Sequence, residues 1–197
     1  MVRKILYLVL LVCLDFSCTN SPKGENKEAE IREERSNKQE NTIPMHSVLA
    51  LSNKVEILLP PNFNKISLEL MTKSYPDPKR RPDIIFRNPE GNVNISLQHT
   101  QKKAFETEMH QILEQLTSRY KSNPTIDFID SKIEKINMKD FVVLEFISQG
   151  ENNKVYNLML ITSLEDKVMM SAFTCEMPVI GEWKDIGNKL MRTIKVL

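Results

Sequence analysis

Glycine is scarce in this chain: five among 197 residues, at positions 24, 91, 150, 181 and 187. So dispersed a set cannot build a loop that closes backbone amides around a phosphate, which removes the nucleotide-binding fingerprints. Cysteine is scarcer still, with Cys13, Cys18 and Cys175 alone, and none of these spacings suits a zinc site. No G-x-S-x-G nucleophile motif occurs. Charge of one sign is missing too. Lys and Arg number 27 against 26 Asp and Glu, without the basic excess that accompanies a nucleic-acid partner. Nor is there a long apolar run: Ile5 to Leu14 spans ten residues, half of the roughly 20 that a bilayer-crossing helix needs.

What that short run does resemble is a secretion signal. Arg3 and Lys4 precede it, and Ser17 and Cys18 follow, giving a basic start, a short apolar core and a small residue before a cut. A cysteine directly after the small residue resembles the signal of bacterial lipoproteins, in which that cysteine is lipidated and becomes the new N-terminus. Those signals carry an aliphatic residue three places before the cysteine, where this chain has Asp15. Three readings follow: a lipidated Cys18, which is favoured, an ordinary cleaved signal, and an uncleaved anchor. Lipidation is physically sufficient as a tether, since two or more acyl chains hold a protein stably where one does not.

Removing residues 1–17 takes away Arg3, Lys4 and Asp15 and leaves the charges balanced. Residues 18–47 then read as a disordered, charged tether. Before Thr42 this stretch holds one strong apolar residue, Ile31, among many Lys, Glu and Arg, too little to offset the entropy of ordering. Residues 48–197 form a single domain, long enough to bury about 70% of its unfolded surface without staples. Cys175 lies in the apolar run VMMSAFTCEM and reads as a buried, inert thiol.

Within the domain, Val55 to Leu59 and the alternation Ile66, Leu68, Leu70 predict strands, and three prolines in KSYPDPKRRPD predict a loop. Ile84 to Arg87, the turn Pro89-Glu90-Gly91-Asn92 and the alternation Val93, Ile95, Leu97 predict a hairpin. From Ala104 to Lys121 the period changes: Phe105, Met109, Ile112, Leu113, Leu116 and Tyr120 recur at three and four, the stripe of a helix. Strands follow at Phe141 to Ser148, Val155 to Thr162 and Lys167 to Thr174, with a weaker pair at 126–129 and 133–136. The run from Phe141 to Ile147 is apolar on both faces and so needs a cover on each side. The second cover is a helix from Val179 to Ile194, on Ile180, Trp183, Ile186, Leu190 and Ile194. The fold class expected is α+β, an antiparallel sheet with a helix on each face.

The order of elements, with LLPPNFNKISLELM near the start, NPEGNVNISLQ before the first long helix and Trp183 with LMRTIKVL at the close, resembles the PsbP-like fold. That fold is shared by the oxygen-evolving photosystem subunit, the yeast Ran-binding Mog protein and DcrB-type bacterial lipoproteins. The resemblance covers about residues 48–197. It implies a non-enzymatic binding or assembly domain without a cofactor, and it carries over no functional residue.

Two candidate sites stand out. Glu106, His110 and Glu114 recur every four residues on one predicted helix face, a spacing that could contribute to a metal site, although a solvated polar face is the ordinary meaning of such a row. Lys73, Lys79, Arg80 and Arg81 in the proline-rich loop, with Tyr75 and helped by Lys102 and Lys103, could contact an acidic partner or lipid headgroups, each cation contributing about 1 kcal/mol near a membrane. Three functions follow in order of preference. The first is a membrane-tethered, non-catalytic protein-binding or assembly module of the bacterial cell envelope. The second and third are a lipid or small-ligand carrier with a cavity between sheet and helix, and a metal-dependent hydrolase on the Glu106, His110, Glu114 row. A nucleic-acid partner is not expected.

Overall fold

The structure, a computed structural model, describes residues 44–150 and 152–197. Residues 43–197 form one compact unit. The proposed signal, Cys18 and most of the tether lie outside the described residues. Among the described residues the first strand begins at His46, two residues ahead of the expected domain boundary.

Among the described residues ten strands and three α-helices follow in order: β1 His46–Ala50, β2 Val55–Leu59, β3 Asn64–Lys65, α1 Leu68–Ser74, β4 Ile84–Arg87, β5 Val93–Lys103, α2 Met109–Lys121, β6 Ile126–Ile136, β7 Lys139–Gln149, β8 Lys154–Leu164, β9 Lys167–Glu176, α3 Ile180–Met191 and β10 Lys195–Val196. Seven strands make an antiparallel sheet ordered β3-β4-β5-β9-β8-β7-β6, and a second sheet is ordered β1-β2-β10. The second sheet was not anticipated. Its outer strands straddle the expected tether boundary, at 46–50, and lie just past the final helix, both too short and too exposed to show a period.

β7 shows why the main sheet needs two covers. Phe141 and Val143 face a core shared with Val55, Ile57, Leu59 of β2 and Leu190, Met191, Ile194 at the end of α3. Val142, Leu144 and Phe146 face a second core with Met109, Ile112, Leu113, Leu116 and Tyr120 of α2. An α+β fold with an antiparallel sheet and a helix on each face is therefore observed, with the three-stranded sheet sharing the α3 side.

The hairpin at 88–93 is built as its sequence predicts. Gly91 has φ +80, a conformation open to glycine at little cost. Buried Asn88 gives its amide to Glu90 and Asn92, both at 2.8 Å, and its side-chain oxygen accepts from the Val93 amide at 2.9 Å.

Three expectations are corrected. Ile66, Leu68 and Leu70 are not a strand, because Ser67 caps a short helix with its hydroxyl accepting from the Leu70 amide at 3.3 Å, and Met71 is the residue that α1 buries. Phe105 does not join the stripe of α2. Its backbone is extended, its side chain is exposed, and a 3-10 turn over Glu106–Glu108 precedes the α-helix. The weak pair at 126–129 and 133–136 is one strand, β6, continuous through Ser131 and Lys132 with a bulge between Phe128 and Asp130. Polar residues continue that strand because it is an edge, and charged, bulged edges resist pairing with another chain.

Candidate functional site

α1 and the loop after it form a surface unlike the rest of the domain. A helix of seven residues is not stable alone and must be held by packing, yet α1 buries only Met71. Leu68 is 67% exposed, Leu70 51% and Tyr75 38%. Their apolar area is offered to the outside although polar residues would serve a solvated helix better.

The basic loop is fixed against the sheet rather than trailing from it. The Gln98 amide on β5 donates to the Lys79 carbonyl at 3.3 Å and to the Arg81 carbonyl at 3.0 Å. The Asp83 amide donates to the Leu97 carbonyl at 2.9 Å. Arg81 turns back and donates from Nε to the Tyr75 carbonyl at 3.0 Å. Asp77 accepts from the Lys79 amide at 3.0 Å and lies 3.6 Å from Arg80. These bonds hold Tyr75, Asp77, Lys79, Arg80 and Arg81 in one loop that directly follows α1, the helix carrying Glu69, Lys73 and the two exposed leucines. Lys102 and Lys103 lie four and five residues beyond Gln98 at the end of β5.

The Glu106, His110, Glu114 row is not assembled. Glu106 belongs to the 3-10 turn rather than to α2 and its carboxylate is 3.7 Å from Lys139. The described residues contain no group of three His, Cys, Asp or Glu placed to hold a metal ion. At Gly187 α3 lies directly on the sheet. A Cβ added at Gly187 would stand 2.5 Å from ring atoms of Phe173, so helix and strand already touch. Among the described residues no helix is long and apolar enough to cross a membrane.

Two buried titratable groups are shifted by their surroundings. Tyr156 is packed in the core, where burial and then the Glu145 carboxylate push its hydroxyl well above the ordinary 10.0, while Glu145 is paired with Lys184 at 2.6 Å. Burial, then Glu176 and Glu182, pushes the Cys175 thiol up to about 11. Since the thiolate is the reactive form, Cys175 in the folded chain is expected to resist iodoacetamide at pH 8, and to react once denaturant is added. Peptide mapping by mass spectrometry reads this directly, and equal labelling in both conditions would show an accessible thiol.

Sequence reasoning missed Leu68 and Leu70 as surface residues because their alternation fits a half-buried strand. Ser67 ahead of them, a preferred helix cap, was the available signal. It also missed a cleft of about 360 Å³ lined by Leu51, Ser52, Lys54, Lys65, Asp83, Ile84 and His99, which four separate chain segments bring together.

No protein-family model matches the sequence, and no curated protein matches it. Solved structures do. The chain is similar to cyanobacterial PsbP (CyanoP) from Synechocystis, with a TM-score of 0.54 at 11% identity, over 81% of this chain and 96% of that one. It is similar to a crystal structure from Bacteroides thetaiotaomicron, with a TM-score of 0.51 at 14% identity, over 77% of this chain and 48% of the other, about half that protein's length. A further similarity, TM-score 0.49 at 10% identity over 88% of this chain and 99% of the other, is to LpqN, involved in cell envelope biogenesis of Mycobacterium tuberculosis. Identities this low bear on architecture alone, and the architecture is PsbP-like.

Proposed function

We propose that this PsbP-like domain is a non-catalytic protein-binding or assembly module of the bacterial cell envelope, tethered to the membrane through lipidated Cys18, with α1 and its loop as the partner-facing surface. The observation that carries the reading is the exposure of Leu68, Leu70 and Tyr75 on a helix that buries one residue, beside Lys73, Lys79, Arg80 and Arg81 in a loop pinned to the sheet. Apolar and aromatic groups supply the desolvated centre of an interface, and a charged rim sets its specificity. A fixed surface is also cheaper to bind, because little chain is ordered on association. The mixed-charge rim fits a protein partner with acidic positions facing Arg80 and Lys79.

The test is affinity capture of the full-length protein from its own membranes, comparing wild type with Leu68→Ser/Leu70→Ser. Both positions are exposed, so the variant is expected to melt within a few degrees of wild type, as surface substitutions do. A partner held by wild type and reduced about tenfold or more in the variant supports the reading, that loss corresponding to about 1.4 kcal/mol. The same experiment yields the N-terminal peptide, expected to begin at Cys18 with acyl groups on it. Identical capture by both forms, or a free thiol at Cys18, overturns the surface or the anchor respectively.

A further inference from the structure

The cleft lined by Lys54, Lys65, Asp83 and His99 adjoins the basic loop at Asp83 but has a different chemistry. It lies where two tight turns meet. In the β1–β2 turn Leu51, Ser52 and Asn53 take φ of 51, 58 and 65 in succession, and in the β8–β9 turn Glu165 and Asp166 take 51 and 56. Left-handed backbone costs a non-glycine residue about 1–2 kcal/mol. The β1–β2 connection has four residues, 51–54, three of which in succession, a leucine among them, hold that conformation, and such strain collects at ligand sites. The turns are tied across by Lys54 and Glu165 at 2.6 Å. The Leu197 amide donates to the Lys54 carbonyl at 2.9 Å, fixing the rim from a third direction.

The polar groups on the wall are oriented. His99 Nε2 lies 2.9 Å from the Leu164 carbonyl oxygen. A carbonyl can only accept, so Nε2 carries the proton, and Nδ1 of the neutral ring is left as an acceptor. Asp83 Oδ2 accepts from the His99 amide at 2.6 Å, which sets the carboxylate at the sheet end. Lys65 is supplied by β3, the two-residue strand at the sheet edge.

The balance of charge selects the ligand class. Glu165 offsets Lys54, so the wall presents one further cation, Lys65, one anion, Asp83, and the His99 imidazole. A purely anionic ligand would be opposed by Asp83, and a purely cationic one by Lys65. We infer that the cleft binds a small zwitterion, its oxyanion placed toward Lys65 and its ammonium toward Asp83 and the acceptor Nδ1 of His99. Phosphoethanolamine has this chemistry, whether free or as the headgroup of a phospholipid.

Residues 43–197, which hold both cores and can therefore be produced alone, serve for the test. They are titrated with O-phosphoethanolamine while the ¹⁵N resonances of the His99 ring are followed. A saturable shift at His99 Nδ1 is expected, weakened about tenfold or more by Lys65→Ala and by Asp83→Asn, each about 1.4 kcal/mol or more of binding energy. Asparagine keeps the oxygen that accepts from the His99 amide, so the second variant retains its fold. Ethanolamine alone and inorganic phosphate alone are expected to bind more weakly than the compound that joins them. Flotation with phosphatidylethanolamine vesicles, against phosphatidylcholine vesicles whose quaternary ammonium cannot donate to Asp83, separates the two sources. Flotation dependent on Lys65 and Asp83 assigns a lipid headgroup, and a shift with the free compound alone assigns a soluble ligand. No saturable shift at millimolar excess, or a shift indifferent to both substitutions, overturns the inference. Because Leu68 and Leu70 play no part, neither result alters the partner-capture comparison.

Discussion

Gly187→Ala is expected to lower the stability of the domain by about 1–3 kcal/mol, although alanine is the better helix former by about 1 kcal/mol. Gly187 is buried within α3. An added Cβ would meet three atoms of the Phe173 ring at 2.5, 2.5 and 2.7 Å. Real Cβ atoms do not approach so closely, so either the ring or the helix must move. The ring has nowhere to go: Phe173 is 0% exposed, packed among Ile95, Leu158 and Leu190, and contacts Tyr156 edge-on at 6.4 Å between centroids. If α3 moves instead, Trp183 and Leu190 leave their places against β2 and the sheet. Urea denaturation monitored by the single tryptophan measures the change. Phe173→Leu is expected to recover part of it in the double variant, since contacting residues couple where distant ones add. A Gly187→Ala protein as stable as wild type, or losses that simply add, would show that helix and sheet do not meet there.

Arg192→Lys, nominally conservative, is the second large expected effect, again about 1–3 kcal/mol. Arg192 at the end of α3 donates from Nε and Nη2 to the two carboxylate oxygens of Glu134 at 2.6 and 2.9 Å. Its Nη1 donates to the Asn188 carbonyl and side-chain oxygen at 2.9 and 3.0 Å. One planar group thus joins the last turn of α3 to the edge strand β6, and a point-like ammonium cannot reproduce the fork. The pair also carries a pH signature. Burial alone would raise the Glu134 carboxyl, but the hydrogen bonds and charges of Arg192 and Lys132 outweigh it and hold it below its ordinary 4.5. A carboxylate with a lowered value in the folded state stabilises fully above its unfolded value, and that contribution is lost as the pH falls through the folded one. The gap between wild type and Arg192→Lys should therefore be full at pH 7 and shrink below about pH 4. A gap unchanged between pH 7 and pH 3 would assign the loss to packing of the arginine stem instead.

The fold was legible wherever burial imposed a period. β7, β8 and β9 read as strands because they are buried on both faces, and α2 and α3 read as helices because each lays one stripe on the sheet. Legibility failed where elements are short or exposed. β1 buries only Ala50 fully, and α1 buries only Met71, so neither leaves a repeating mark. Leu68 and Leu70 misled because alternation is a strand signal only when one face is inside. The basic loop was readable from composition, whereas its fixation by Gln98 depends on a residue seventeen or more positions away. The cleft illustrates the same limit more strongly, since its lining side chains come from positions 51 to 99 and no local pattern joins them.

The arrangement of β1 has a mechanical consequence. Residues before Ile43 enter the domain through an edge strand that pairs with β2 alone over five residues and gives the interior one fully buried side chain. Load arriving along the incoming chain would strip β1 from β2 first and lengthen the connection by several residues at about 3.3 Å each. β2 would still be held by β10 and by its packing against α3, so the domain has a yield point ahead of its breaking point.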